Sequence, residues 1–124
     1  MTDPIGAMLI MLKNASNANR PSIVVPFSKV KQAIATTLEK EGYLSAINKK
    51  TRDGHPALEL VIAKKIDGVA RISKPSRRMY MGVGQIRPVK NGHGIIVLTT
   101  PKGVMTGNEA RKEMVGGEPL FTMW

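Results

Sequence analysis

Four branched apolar residues in a row, Ile95-Ile96-Val97-Leu98, constrain what this chain can fold into more than any other feature. The run is too short for a buried helix and rich in β-branched residues, so it predicts a buried strand. Gly92-His93-Gly94 precedes it, and Thr99-Thr100-Pro101-Lys102-Gly103-Val104-Met105 follows. The two threonines are expected to leave the strand, because Pro101 lacks the N–H that a central ladder needs. Thr106 with Glu109 three residues on forms a capping box, which opens a helix by satisfying two backbone N–H groups. Ala110, Arg111 and Lys112 favour that helix, and Gly116-Gly117 are expected to give its left-handed stop. A loop of hydroxyls, one lysine and one glycine is thus held between two rigid elements, where backbone can approach a polyanion.

The charge balance points to the same class of partner. Nineteen Lys and Arg face nine Asp and Glu, a formal net charge of +10. A surface meant only for water balances its charges more closely, so a polyanion is expected. Between Arg71 and Lys90 lie Arg71, Lys74, Arg77, Arg78, Arg87 and Lys90 with no acid among them. A solvated face or an acidic protein partner is the bland alternative to that expectation. The absence of cysteine excludes a disulfide framework and thiolate metal sites. Ile5 to Leu12 is too short to span a bilayer and has no basic leader, so no membrane role and a cytoplasmic or equivalent organelle location are expected.

Along the chain, Asp3-Pro4 opens a helix with Ile5, Met8, Leu9 and Leu12 on one face and Met11 at its margin. The polar stretch from Asn14 to Arg20 is expected to end it. Ser22 to Pro26 predicts a short strand. Ser28 caps a second helix with Val30, Ala33, Ile34 and Leu38 inward, closed by Gly42. Tyr43 to Asn48 and Leu58 to Ile62 predict strands separated by a turn at residues 51–54, and Asp67-Gly68 a hairpin leading into Val69–Ile72. Arg77 to Met81 is expected as a strand, Gly82-Val83-Gly84 as a flexible join, and Glu118 to Trp124 as an edge strand because of Pro119. The expected fold is α+β in two small lobes. Residues 1–70 place two helices on a short sheet; residues 71–124 form a β-rich lobe with one short helix.

Catalytic constellations are missing. Neither GxG pair fits a dinucleotide fingerprint, since Arg87 stands where the third glycine should follow Gly82-Val83-Gly84, and Gly92-His93-Gly94 precedes its strand. His55 and His93 sit in turn-like contexts without an orienting partner at any motif spacing. No enzyme activity, metal or cofactor is therefore expected. Nucleic acid has a better mechanism: distributed cations neutralise phosphates, and structured RNA is read by shape and by 2′-hydroxyl contacts. Aromatics are only 4% of residues, so stacking along single strands is not the main mode. Tyr80 offers one ring and a hydroxyl.

The residues from Gly92 to Glu118 carry a longer pattern. It resembles the C-terminal signature of the bacterial S-eight family of small-subunit ribosomal proteins. That signature runs Gly-x-Gly-Ile, an apolar strand, Ser-Thr-Ser-Lys-Gly-Val-Met-Thr, a short Glu-Ala-Arg helix and Gly-Gly-Glu. Lys102 to Thr106, Glu109-Ala110-Arg111 and Gly116-Gly117-Glu118 match it position by position. Thr99-Thr100-Pro101 stands where the family has Ser-Thr-Ser, Gly107 replaces an aspartate and Pro119 a β-branched residue. Ser73-Lys74-Pro75 with Arg78-x-Tyr80, and Asp3-Pro4-Ile5 with Met8-Leu9 and Asn14, match further family segments. In the N-terminal segment, however, Ile10 and Met11 stand where the family pattern Met-Leu-Thr-Arg-Ile-Arg-Asn has Thr and Arg. The resemblance implies a protein that binds a helical region of the central domain of small-subunit rRNA, supports assembly beside neighbouring small-subunit proteins, and in some members represses its own operon's mRNA. It places Thr99, Thr100, Pro101, Lys102 and Gly103 in the RNA-reading loop, with Tyr80 and Glu118 as flanking contacts; the cations Lys74, Arg77 and Arg78 complete the expected RNA-binding set. A regulatory RNA- or DNA-binding module outside the ribosome is the alternative.

Overall fold

The two runs of apolar alternation, before and after residue 67, seed two separate sheets. The computed structural model describes residues 3–89 and 92–124; Lys90, the last cation of the acid-free run, lies outside the described residues. The chain divides into two compact units, Ile5–Asp67 and Gly68–Trp124, the latter joined by Asp3 and Pro4. Three α-helices and two antiparallel sheets make an α+β fold, as the sequence predicts.

In the first unit, α1 (Pro4–Asn17) buries Met8, Leu9 and Leu12. It runs through Asn14 instead of ending there, because Ala15 and Ser16 fall on the buried face and Ser16 Oγ accepts the Ile66 N–H at 2.8 Å. Strand β1 (Ser22–Pro26) precedes α2 (Lys29–Lys40), whose N-cap Ser28 accepts from Lys31 N at 3.1 Å, with Gly42 in the left-handed region just past the helix. Ile34 and Leu38 are buried as expected, but Val30 is 40% exposed and Ala35 takes the inward place. In the first turn of α2, the apolar residue faces water.

Strands β2 (Leu44–Arg52) and β3 (His55–Ile62) pair down to Arg52 opposite His55, so the expected four-residue turn tightens to Asp53-Gly54. Both turn residues have positive φ, the geometry that matches strand twist in a two-residue hairpin. With β1 the sheet order is β1-β3-β2. The other Asp-Gly pair makes no hairpin. Gly68 exchanges backbone hydrogen bonds with Trp124, and the Trp124 indole occupies the space a Cβ at Gly68 would need.

The second unit is a four-stranded sheet of order β4-β7-β5-β6, where β4 is Val69–Arg71, β5 Ile95–Thr100, β6 Gly103–Thr106 and β7 Glu118–Met123. Ile86, Ile96, Leu98, Met105 and Ala110 form its buried cluster, Ala110 coming from α3 (Gly107–Glu113). Strand β7 is interior, not an edge, despite Pro119. A bulge shifts its register between Val97 and Leu98, so Leu98 faces Pro119 while Val97 faces Phe121. On the other side Pro119 contributes only its carbonyl, which accepts from Ser73 N at 3.0 Å. A proline is tolerated at such a bulge because no donor is asked of it. Arg77 to Met81 is not a strand; a tight turn closed by Lys74 and Arg77 leads into a segment that forms an isolated bridge where Met81 pairs with Gly117, just before β7. Val83–Gln85 is one turn of 3-10 helix, fixed where Gln85 Oε1 accepts from Gly82 N at 2.8 Å, so this stretch is folded and not a loose join.

Candidate nucleic-acid interface

Thr99 and Thr100 do not leave the strand. Thr99 pairs with Val104 on one side and Glu118 on the other, and Thr100 pairs with Gly103. Pro101-Lys102 is therefore the two-residue tip of a β5–β6 hairpin, a proline position that costs the ladder nothing because it lies outside it. Gly103, at φ +115°, supplies the backbone conformation that closes the tip. The Thr100 hydroxyl is buried and committed: it donates to Gly103 O at 2.8 Å and accepts from Lys102 N at 3.1 Å. Pro101, Lys102 and Gly103 are exposed. Lys102 Nζ lies 3.9 Å from Glu113, a pair more than half exposed on each side and so a weak tether.

Helix α3 anchors the hairpin's other end. Thr106 Oγ1 accepts from Glu109 N at 3.3 Å, and Glu109 Oε1 accepts from Thr106 N at 3.2 Å, the reciprocal box expected from the sequence. Thr106→Ala is expected to cost about 1 kcal/mol in urea unfolding, through the lost cap. An unchanged midpoint would show that packing alone starts the helix. The helix stop differs from the sequence expectation: Met114, not a glycine, takes the left-handed position. Gly116 and Gly117 serve close approach instead. A Cβ on Gly117 would collide with Thr99 O, and one on Gly116 with Met81 O.

That close approach delivers Glu118 to the centre of a polar cluster. Its carboxylate accepts hydrogen bonds from the buried Ser73 hydroxyl and from Arg78 NH1, at 3.1 and 3.3 Å for the latter. Ser73 Oγ in turn accepts from Met79 N at 3.1 Å, which fixes the segment carrying Arg78 and Tyr80. The Ser73 hydrogen bond is the main cause holding the Glu118 carboxyl below the usual glutamate range; partial burial pushes the other way, and Arg78 and Arg71 add to the depression. A depressed folded-state pKa contributes stability that is fully present above the ordinary glutamate value and is lost as pH falls through the lowered one. The stability difference between the protein and Glu118→Gln should therefore be constant from about pH 8 to 5 and shrink below about pH 4. A difference constant down to about pH 3 would assign the carboxylate's charge no role.

Tyr80 is 74% exposed, its hydroxyl lying over Gly116. Lys74 and Arg77 project from the Pro75-Ser76 turn, and among the described residues neither is paired with a carboxylate. The structure thus brings Arg78, Tyr80, Thr99 and Glu118 around residues 116–118, with Pro101–Gly103 at the adjoining hairpin tip and Lys74 and Arg77 on the neighbouring turn. Four supporting residues escaped the sequence reading as parts of a site: Ser73, Glu113, Gly116 and Gly117. Nothing local marks Ser73 as Glu118's donor, since the two are 45 residues apart. Arg71 belongs elsewhere; its guanidinium binds both Asp3 carboxylate oxygens at 3.0 Å and Leu120 O, and so serves the fold. Arg87 folds back onto Gly84 O at 2.6 Å.

Among the described residues no group of three or more His, Asp or Glu side chains is arranged to hold a metal, and no helix is long and apolar enough to cross a membrane. Residues 3–124 match the family model described as ribosomal protein S8. The chain is 40% identical to the small ribosomal subunit protein uS8 of Persephonella marina, over 100% of this chain and 99% of that protein. It is 42% identical to the uS8 proteins of Polaromonas naphthalenivorans, over 97% and 95% of the two chains, and of Nitratidesulfovibrio vulgaris, over 100% and 99%. The chain belongs to the ribosomal protein S8 family, a family of small-subunit ribosomal proteins and not of enzymes.

Proposed function

We propose that the chain binds a helical region of the central domain of small-subunit rRNA through its Gly68–Trp124 unit and supports assembly of the subunit around that site. The observation that carries this reading is the exposed Pro101-Lys102-Gly103 tip together with the exposed Lys74, Arg77, Arg78 and Tyr80, against two carboxylates, Glu118 at Arg78 and Glu113 at Lys102. Cations on the turn neutralise phosphates on either side of a groove, and the narrow hairpin tip enters where an irregular helix opens. Lys102 and Gly103 present a charge and bare backbone there, beside the half-buried Thr99. Tyr80 supplies a ring face for a base or ribose. Glu118 orients Arg78, whose side chain stays 71% exposed. Thr100 acts through the shape of the turn it closes, and Pro101 narrows the conformations the tip must give up on binding.

Competition binding at one fixed salt concentration tests this, using a central-domain rRNA fragment and an unrelated duplex. Thr100→Val keeps the volume and removes both hydroxyl bonds of the turn. It should weaken the rRNA fragment about fivefold, the scale of one net hydrogen bond, and the duplex hardly at all. Equal losses on both RNAs would mean that the tip adds only charge and surface. No preference of the unaltered protein for the rRNA fragment would overturn the reading itself.

A further inference from the structure

Between Asp3 and Glu39 the chain carries Lys13, Arg20, Lys29 and Lys31 and no carboxylate. Within this stretch α1 shows water a stripe that is apolar except for Asn14. Ala7, Ile10, Met11 and Asn14 recur at helical spacing on one side and all are exposed, Ile10 to 56% and Met11 to 42%. Single exposed apolar side chains are ordinary, but here Met11 lines a groove and Ile10 adjoins it in sequence. The groove lies between α1 and β1, is lined by Met11, Asn14, Ala15, Ala18, Arg20 and Ile23, and encloses about 320 Å³. Asn14, Ala15 and Ala18 are small and Ile23 and Met11 are apolar, which leaves room for one large aliphatic or aromatic side chain. Arg20 stands at its mouth and Lys13 on the next turn of the helix; among the described residues neither is paired with a carboxylate.

We propose that this face docks an acidic amphipathic helix of another protein, its apolar side chains in the groove and over Ile10 and Met11, its carboxylates against Lys13 and Arg20. The charge decides among occupants. A second copy of a chain with net charge +10 brings more cations to a surface that already lacks anions. RNA needs donors, and Ile10 and Met11 offer none in the middle of the stripe. An unbranched methionine beside a small-walled groove adapts to a partner's side chains, and i, i+3, i+4 anchors are how a helix is read by such a groove. This inference stands independently of the rRNA reading, which rests on the other unit.

The test uses the full chain and a labelled 18-residue helical peptide, with leucines at i, i+3, i+4 and i+7 and flanking glutamates. A scrambled peptide of the same composition controls for bulk charge, since any acidic peptide is drawn to a basic protein. Fluorescence anisotropy should give about tenfold tighter binding of the amphipathic peptide than of the scrambled one, the scale of one buried apolar side chain. Ile10→Gln with Met11→Gln should abolish that preference; both sites are exposed, so the variant should melt with the parent. Arg20→Glu, as a second variant, should weaken the glutamate peptide and favour a version with lysines in place of the glutamates. Equal binding of amphipathic and scrambled peptides overturns the proposal, as does a preference that survives the double substitution. A dimer seen by sedimentation and lost in the Gln variant would instead assign the face to a second copy. Weaker RNA binding by that variant would assign it to RNA, and either result also overturns the proposal.

Discussion

Gly117→Ala is expected to lower the stability of the Gly68–Trp124 unit by about 3 kcal/mol, the upper range for forcing extra volume into packed structure. The new methyl would point at Thr99 O, with the Thr99 carbonyl carbon at 2.9 Å and Thr100 Cα at 3.1 Å. All three are backbone atoms of an interior strand, so no flexible side chain can swing aside. Either β5 moves away from residues 116–118 or the Met81–Gly117 pair opens, and both routes break ladder hydrogen bonds. Thermal unfolding should fall by roughly 10 °C. RNA binding should weaken as well at temperatures where the variant is still folded, because Thr99 and Glu118 flank the collision. A variant that melts with the parent would mean that the strands can separate at this point without cost.

Replacing Lys74, Arg77 and Lys102 together by glutamine should weaken binding to the rRNA fragment about a hundredfold near physiological salt, at roughly 1 kcal/mol per lost phosphate contact. The choice of residues follows from the geometry. Lys74 and Arg77 have no carboxylate to leave behind, and the exposed Lys102–Glu113 pair contributes little to folding, so stability should change little. Arg78 is spared because removing it would strand Glu118 and confuse binding with folding. The slope of log K against log salt should flatten by about 2 to 3, since each phosphate contact contributes roughly 0.7 to 0.9. Glutamine at Lys40 and Lys65, exposed on the other unit, should leave the slope almost unchanged. A triple variant with the parental slope would remove these three cations from the interface.

Much of the local structure was legible because its causes lie within a few residues. The Ser28 and Thr106 caps, the buried face of α1 and the strand at 95–98 each depend on side chains no more than seven positions apart. Turn signals were ambiguous for the same reason. Asp53-Gly54 and Asp67-Gly68 are identical dipeptides, yet only the first lies between strands of one sheet. The second is claimed by Trp124, 56 positions away in the sequence.

The sequence by itself determined the fold class, the cationic character of the surface and the membership of the Lys102–Thr106 segment in a family signature. Only the tertiary structure decided what those residues do locally. Thr99 and Thr100 stay in the strand because β6 pairs with both and β7 holds Thr99 from the other side, a pairing that overrides the turn tendency of Thr-Pro. Pro119 sits in an interior strand because a bulge and the end of β4 relieve it of donating. Gly116-Gly117 is read wrongly as a helix stop from composition, since a glycine that caps a helix and one that admits a neighbouring backbone look alike in sequence. Glu118 becomes the hub of the candidate interface through Ser73 and Arg78, and neither bond has any local signal. Propensity acts between neighbours in the chain, whereas sheet register, close backbone approach and ion pairing are fixed by which distant segments share the same space.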